Sequence, residues 1–135
     1  MALINWNDNY SVNVAEIDQQ HKELIAIINE LGDALKSGKG IDISASIVNR
    51  LAKYAMTHFK AEEALLVKFG YPEMEDHKKE HAAFVRKVVD FRGGLEKGKP
   101  VLPMEIMVYL SEWMKNHILD TDKKYSKFLN EKGVK

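Results

Sequence analysis

Five histidines and two acidic residues carry the chemistry that this sequence could perform. All five histidines fall on inward positions of apolar helical patterns: His21, His58, His77, His81 and His117. A single buried histidine is more often a neutral core residue with a hydrogen-bond partner than a metal ligand. Five imidazoles among Leu, Ile, Val and Phe need more polar partners than such neighbours provide. We therefore interpret the five histidines together as candidate metal ligands.

Helical spacing adds Glu62 to this set. Glu62 follows His58 by four residues, and His81 follows His77 by the same interval, so each pair lies on one face of a helix. A buried carboxylate costs several kcal/mol unless a cation compensates it, and this apolar stripe holds no lysine or arginine. One such pair alone is weak support for a metal site. Two pairs, with inward histidines on both other helices, are a strong indication.

Asp122 is predicted as the seventh ligand from a change of phase in the last helical pattern. The stripe Ile106, Leu110, Trp113 and His117 is followed by a stripe displaced by one residue, which consists of Ile118, Asp122, Tyr125 and Leu129. A five-residue step turns Asp122 about 140° away from His117 in a regular helix. Both can face the interior only if a π-bulge or a break follows His117. The alternative is that Asp122 only caps a short terminal helix, and we favour the ligand interpretation.

Four amphipathic helices are needed to bring these residues together, and the sequence contains four segments with apolar residues at steps of three and four. Three breaks separate the segments, at Gly38-Lys39-Gly40, at Gly70-Tyr71-Pro72, and at Gly98-Lys99-Pro100 through Pro103. The pattern predicts an all-α fold, an antiparallel up-down-up-down four-helix bundle with an N-terminal arm and a short C-terminal helix. The arm covers residues 1-16 and the helical bundle residues 17-131, within one domain over 1-135.

Helix-start signals predict how three of the helices begin. Asp18 is a candidate N-cap of the first helix, and Ser44 or Ser46 of the second. Pro103 suits the first turn of the fourth helix, where its missing N–H is not needed. In the arm, the hydrophobic pattern alone predicts that Trp6, Tyr10, Val12 and Val14 pack along the bundle.

Composition excludes several classes of function. The chain has 20 basic and 20 acidic residues and therefore no net positive charge that would attract nucleic acid or an anionic membrane surface. It contains no cysteine, which excludes disulfides, thiolate metal sites and cysteine nucleophiles and suits the reducing cytoplasm. We expect no nucleic-acid partner, no membrane insertion and a monomer with charged outer faces.

The number of candidate ligands favours two metal ions over one. Five imidazoles and two carboxylates are too many for one ion and do not match tetrahedral zinc, whereas mixed imidazole and carboxylate ligands suit iron. If both carboxylates and a hydroxide or oxide bridge two octahedral ions, eleven of about twelve positions are filled. One position stays open, where a small neutral molecule such as O₂ could bind.

The sequence resembles the hemerythrin family, particularly its single-domain bacterial members. The matching residues cover nearly the whole chain and comprise Ile17-Asp18-Gln19-Gln20-His21-Lys22, His58-Phe59, Glu62-Glu63, His77, His81, His117-Ile118 and Asp122. The resemblance implies a non-haem di-iron centre, hydroxo- or oxo-bridged, that binds O₂ reversibly.

The same resemblance implies a role for each candidate ligand. His77, His81 and His117 would complete one iron, and His21 and His58 would hold the iron with the open position. Glu62 and Asp122 would bridge the two. Candidate walls of the O₂ pocket, chosen because they adjoin the ligands, are Leu24, Phe59, Trp113, Met114, Ile118 and Leu119. Plain bundle core is an equally good interpretation of each wall residue.

Other functions stay open from the sequence. A sensory hemerythrin-like module and an iron storage or repair protein are both compatible with the same site. An oxidative di-iron enzyme of the ferritin or rubrerythrin kind would need E-x-x-H motifs, and the chain has none. A metal-free interaction module would leave Glu62 unexplained. We expect an O₂-binding protein that is not an enzyme, and an O₂-consuming enzyme is the partner to which it would deliver O₂.

Overall fold

A computed structural model describes residues 4–97 and 103–135, without the side chains of residues 40–42 and 120–121. The chain forms an all-α bundle. Its helices are α1 (Ala15–Lys36), α2 (Gly40–Phe69), α3 (Met74–Glu96), α4 (Pro103–Trp113) and α5 (Asp122–Glu131). A π-helical segment, Met114–Thr121, joins α4 to α5, so that these three pieces together form the fourth helix of the bundle. The predicted break at Gly98-Lys99-Pro100 lies outside the described residues.

The apolar stripes predicted from the sequence form the interior. α1 packs against α2 and α4, and α2 packs against α3. The larger apolar cluster is contributed by all four bundle helices and includes Leu31, Leu51, Phe84 and Leu110. A smaller cluster at the other end includes Val14, Leu66, Tyr125 and Leu129. No helix of the described residues combines the length and the hydropathy that a membrane span requires.

The helix starts differ from the predicted caps. α1 begins at Ala15, before Asp18, and its N-cap Val14 makes no side-chain capping bond, so the prediction of Asp18 as N-cap was wrong. α2 begins at Gly40, which places Ser44 and Ser46 inside the helix, and that capping prediction was also wrong. Pro103 is the first residue of α4, as predicted.

Asp18 fixes the N-terminal arm instead of capping the helix. Its carboxylate accepts hydrogen bonds from the Ser11 hydroxyl at 2.5 Å and from the Val12 N–H at 2.8 Å. The Val12 carbonyl accepts a bond from the Ser126 hydroxyl of α5 at 2.7 Å. Val12 and Val14 are buried, and Trp6 and Tyr10 pack partly buried against the larger cluster, as the hydrophobic pattern indicated.

The π-helical segment explains how His117 and Asp122 both point inward. The Asp122 N–H donates to the carbonyl of His117, the five-residue bond of a π-helix, and both side chains are buried. The wider turn absorbs the extra residue that the sequence placed between the two stripes. The predicted irregularity is confirmed, although it begins at Met114, before His117.

Candidate metal centre

The seven predicted ligands converge in two groups that share their carboxylates. One group contains Glu62, His77, His81, His117 and Asp122, and its potential ligand atoms all lie within 4.8 Å of one another. A second group contains His21, His58, Glu62 and Asp122 within the same limit. Every helix of the bundle contributes to the site. α1 carries His21, α2 carries His58 and Glu62, α3 carries His77 and His81, and the fourth helix carries His117 and Asp122.

Each carboxylate directs one oxygen toward each group. Oε1 of Glu62 contacts His77 Nε2 and lies 3.0 Å from His81 Nε2, and Oε2 lies 3.3 Å from His58 Nε2.

Asp122 divides its oxygens in the same way. Oδ1 lies 2.9 Å from His117 Nε2 and 3.3 Å from His77 Nε2, whereas Oδ2 lies 3.1 Å from His21 Nε2. A carboxylate that turns its two oxygens to different histidine sets has the arrangement needed to bridge two cations.

The carboxylates are held in the ionised form. Burial would raise the pKa of Glu62, but the neighbouring imidazoles, His58 foremost, outweigh it and hold that pKa well below its ordinary value. Burial and the charge of Glu62 likewise oppose ionisation of Asp122, yet His117 and His21 keep its pKa lowered. Burial lowers the pKa of His58, and the neighbouring charge of Glu62 opposes that lowering. Ionised carboxylates and neutral imidazoles both offer lone pairs to a cation.

The donor set fits metal ions. Both oxygens of Asp122 and the Nε2 atoms of His21, His81 and His117 are buried without a hydrogen bond to any described residue. Buried polar atoms nearly always have a partner, so these atoms need one that protein groups do not supply. The chemistry of the donor set therefore fits bound cations, and Glu62 and Asp122 belong to both groups of potential ligands.

Comparison with known proteins agrees with this geometry. The family model for the hemerythrin HHE cation binding domain matches residues 12–129. The chain belongs to the hemerythrin family. Among similar proteins, the bacteriohemerythrin of Pseudomonas aeruginosa is 36% identical over 125 residues, which are 93% of this chain and 80% of that protein. The bacteriohemerythrin of Methylococcus capsulatus is 30% identical over 131 residues, which are 96% of this chain and 99% of that protein.

The fold is also that of a solved hemerythrin. The crystal structure of a wild-type hemerythrin superposes with a TM-score of 0.84 at 30% sequence identity, covering 93% of this chain and 97% of that one. This likeness confirms the predicted helical bundle and the resemblance on which the sequence interpretation relied.

Polar residues around the centre have a role that the sequence interpretation did not assign to them. Three of them face outward-pointing Nδ1 atoms of the histidines: Gln20 faces His58, Glu63 faces His81 and Glu80 faces His117. Their side chains lie at the flanks of the helices and follow no apolar stripe. Each adjoins a candidate ligand in sequence, but that position alone does not indicate which histidine of another helix it faces.

Tyr125 is a further polar neighbour that hydrophobic periodicity hid. Its hydroxyl donates to Glu62 Oε2 at 2.8 Å, and the residue is fully buried. Burial, followed by the charges of Glu62 and Asp122, raises the pKa of Tyr125 well above its ordinary value. The phenol therefore stays a neutral donor that fixes the position of one Glu62 oxygen.

The predicted pocket residues fall into two sets. Leu24, Phe59, Met114 and Ile118 are buried in the larger apolar cluster, and Phe59 stacks on His81 with ring centroids 3.8 Å apart. Trp113 is partly buried and stacks on His117 at 4.1 Å. Leu119 is also partly buried.

Tyr54 completes the surroundings of the two-histidine group. Its ring stacks on His58 with centroids 5.1 Å apart, and it also contacts Phe59. Its hydroxyl is buried and has no hydrogen-bond partner among the described residues. The surroundings of His58 are thus not purely aliphatic.

Proposed function

We propose that the protein binds O₂ reversibly at a non-haem di-iron centre and is not an enzyme. His77, His81 and His117 would hold one iron, His21 and His58 the other, and Glu62 and Asp122 would bridge them. The observation that carries this proposal is the division of both carboxylates between a three-histidine group and a two-histidine group. The smaller number of imidazoles on the two-histidine side would leave a coordination position of its iron free for O₂.

The iron pair would supply the electrons that bind O₂, and the protein supplies the surroundings. The three-histidine and two-histidine groups are held at fixed separations by helices packed on every side, so the ligands need little rearrangement. Leu24, Phe59, Met114 and Ile118 exclude water from the interior next to the centre. Exclusion of water and of external proton donors favours return of the bound molecule over its conversion to products.

We further propose that the carrier works in the cytoplasm as a monomer. A chain without cysteine suits the reducing cytoplasm, and charged outer faces suit a monomer. An O₂-consuming enzyme is the partner that a delivery role would require.

Reversible oxygenation tests the function directly. The purified protein is loaded with ferrous iron under anaerobic conditions, its iron is counted, and its visible spectrum is followed through cycles of air and vacuum. We expect about two irons per chain, as the ligand count requires, and a colour that appears in air and disappears under vacuum.

A ligand variant controls for iron bound elsewhere. His77→Ala should lose iron and the colour change, while retaining helical circular dichroism. Parent protein that takes up O₂ and cannot release it under vacuum would contradict the carrier function.

A further inference from the structure

The outward nitrogens of the histidines are supported unequally on the two sides of the centre. In the three-histidine group, His81 Nδ1 lies 2.8 Å from Glu63 Oε2, and His117 Nδ1 lies 3.3 Å from Glu80 Oε1. Each of these imidazoles therefore donates its Nδ1–H to a carboxylate, which fixes the tautomer that presents the Nε2 lone pair to the centre.

The two-histidine group has weaker support. His58 Nδ1 donates to the neutral amide oxygen of Gln20 at 2.6 Å. His21 Nδ1 is buried and has no hydrogen-bond partner among the described residues. No carboxylate faces either Nδ1 atom in the hydrogen bonds of the described chain.

Outer partners of this kind change how strongly an imidazole binds a metal. An Nδ1–H that donates to a carboxylate makes the opposite nitrogen a stronger electron donor, and removing such a partner typically costs about 10- to 100-fold in metal affinity. A neutral amide orients the ring but adds less negative charge. The carboxylate partners of the three-histidine group therefore strengthen its metal binding further, beyond the effect of its additional imidazole.

We propose that the centre binds and releases its two ions in a fixed order, with Glu63, Glu80 and Gln20 as the positioning residues that set it. The three-histidine side binds first and releases last, and a state with one ion per chain lies between. This inference rests on the two-ion centre proposed above, although it does not require that the centre bind O₂.

Release of ferrous iron to a chelator tests the order without O₂. The loaded protein is mixed anaerobically with excess chelator, and the coloured chelate is followed with time. We expect two phases of one ion each, separated by at least about tenfold in rate. His58→Ala should keep only the slow phase, which assigns the fast phase to the two-histidine side.

Gln20→Glu is the decisive variant, because it gives the weaker side a carboxylate partner at nearly constant shape. It should slow the fast phase by about tenfold and leave the slow phase unchanged. Gln19→Glu is the matched control, because Gln19 is exposed and its replacement changes the charge of the same helix by the same amount. Equal release rates for these two variants would overturn the proposal, as would a single phase in the parent.

Glu63→Gln keeps the proposal testable if Gln20→Glu does not fold. It should accelerate only the slow phase, by about tenfold, whereas the exposed Glu75→Gln should have no effect. An unchanged slow phase in Glu63→Gln would contradict the positioning role. Because every step is anaerobic, a failure of reversible oxygenation and a failure of ordered release are separate results.

Discussion

Single side chains at this centre carry opposing electrostatic demands that a metal would resolve. Glu62 and Asp122 are fully buried anions that lie within about 3 Å of imidazole nitrogens of α1, α3 and the fourth helix. Burial penalises each charge, and the nearby imidazoles offset that penalty in the metal-free protein only where they hold protons. Among these imidazoles, His117 is the one whose pKa shows most clearly that a proton compensates the buried carboxylates in the metal-free protein.

His117 should make the stability of the metal-free protein depend on pH. Burial would lower its pKa, but the charge of Asp122 and contacts with Asp122 and Glu80 raise it to about 10, from an ordinary value of 6.5. The imidazolium then contributes stability that is fully present below about pH 6.5 and is lost as the pH rises through about 10. We expect the free energy of unfolding of the metal-free protein, measured by urea titration, to fall across this range.

The His117→Gln variant is the control for that pH profile. It keeps a polar side chain but cannot titrate, so its free energy of unfolding should fall less between about pH 6.5 and 10. Parallel profiles for variant and parent would show that His117 is not protonated in the metal-free fold.

Residues that follow an inward stripe could be predicted from the sequence, whereas their outer partners could not. All seven candidate ligands lie on such stripes and were found by their period. Gln20, Glu63 and Glu80 each adjoin a candidate ligand but are turned by about 100°, toward the flank of the helix. There they meet a histidine of another helix, and sequence spacing contains no information about that second helix.

At the scale of elements, the π-helical segment is what makes the fourth helix a source of two ligands. A regular helix through Met114–Thr121 would turn either His117 or Asp122 away from the interior. The five-residue spacing predicts this irregularity from the sequence, because the two apolar stripes differ in phase. The prediction of Asp18 as a cap failed because its carboxylate binds Ser11 and Val12 of the arm, and that of Ser44 failed because Ser44 lies buried inside α2.

Deletion of Leu119 tests the function of the π-helical segment. Removing one residue brings His117 and Asp122 to four-residue spacing, so a regular helix can form with all its usual hydrogen bonds. We expect the metal-free variant to unfold at a higher temperature than the metal-free parent. It should bind fewer than two irons, because the Asp122 carboxylate is drawn about 1.5 Å along the helix axis.

Calorimetry and iron analysis on the same samples check both parts of this prediction. Deletion of the exposed Lys115 in the same segment serves for comparison. It changes the helix register before His117 and should therefore displace that histidine as well. If the Leu119 deletion kept two tightly bound irons, the extra residue would not serve the centre.

At the scale of the whole molecule, the centre is a polar layer between two apolar clusters. The larger cluster lies on one side, with Leu24 and Phe59 next to the histidines, and the smaller one lies on the other, with Ile17 and Tyr125. The two ends of the bundle therefore contact each other across imidazoles and carboxylates. Cohesion between the ends depends on how well that layer is compensated.

Iron should consequently raise the stability of the entire fold. An ion that binds only the folded state at a free concentration of a hundred times its Kd adds about 2.7 kcal/mol, which corresponds to a rise in Tm of roughly 10 °C for a chain of this size. We expect scanning calorimetry to show that rise when ferrous iron is added anaerobically to the metal-free protein. Mg²⁺ is the control, because it prefers oxygen ligands and should leave Tm unchanged. An identical Tm with and without iron would mean that the polar layer is already satisfied by the protein alone, which would remove the physical reason for a metal at this position.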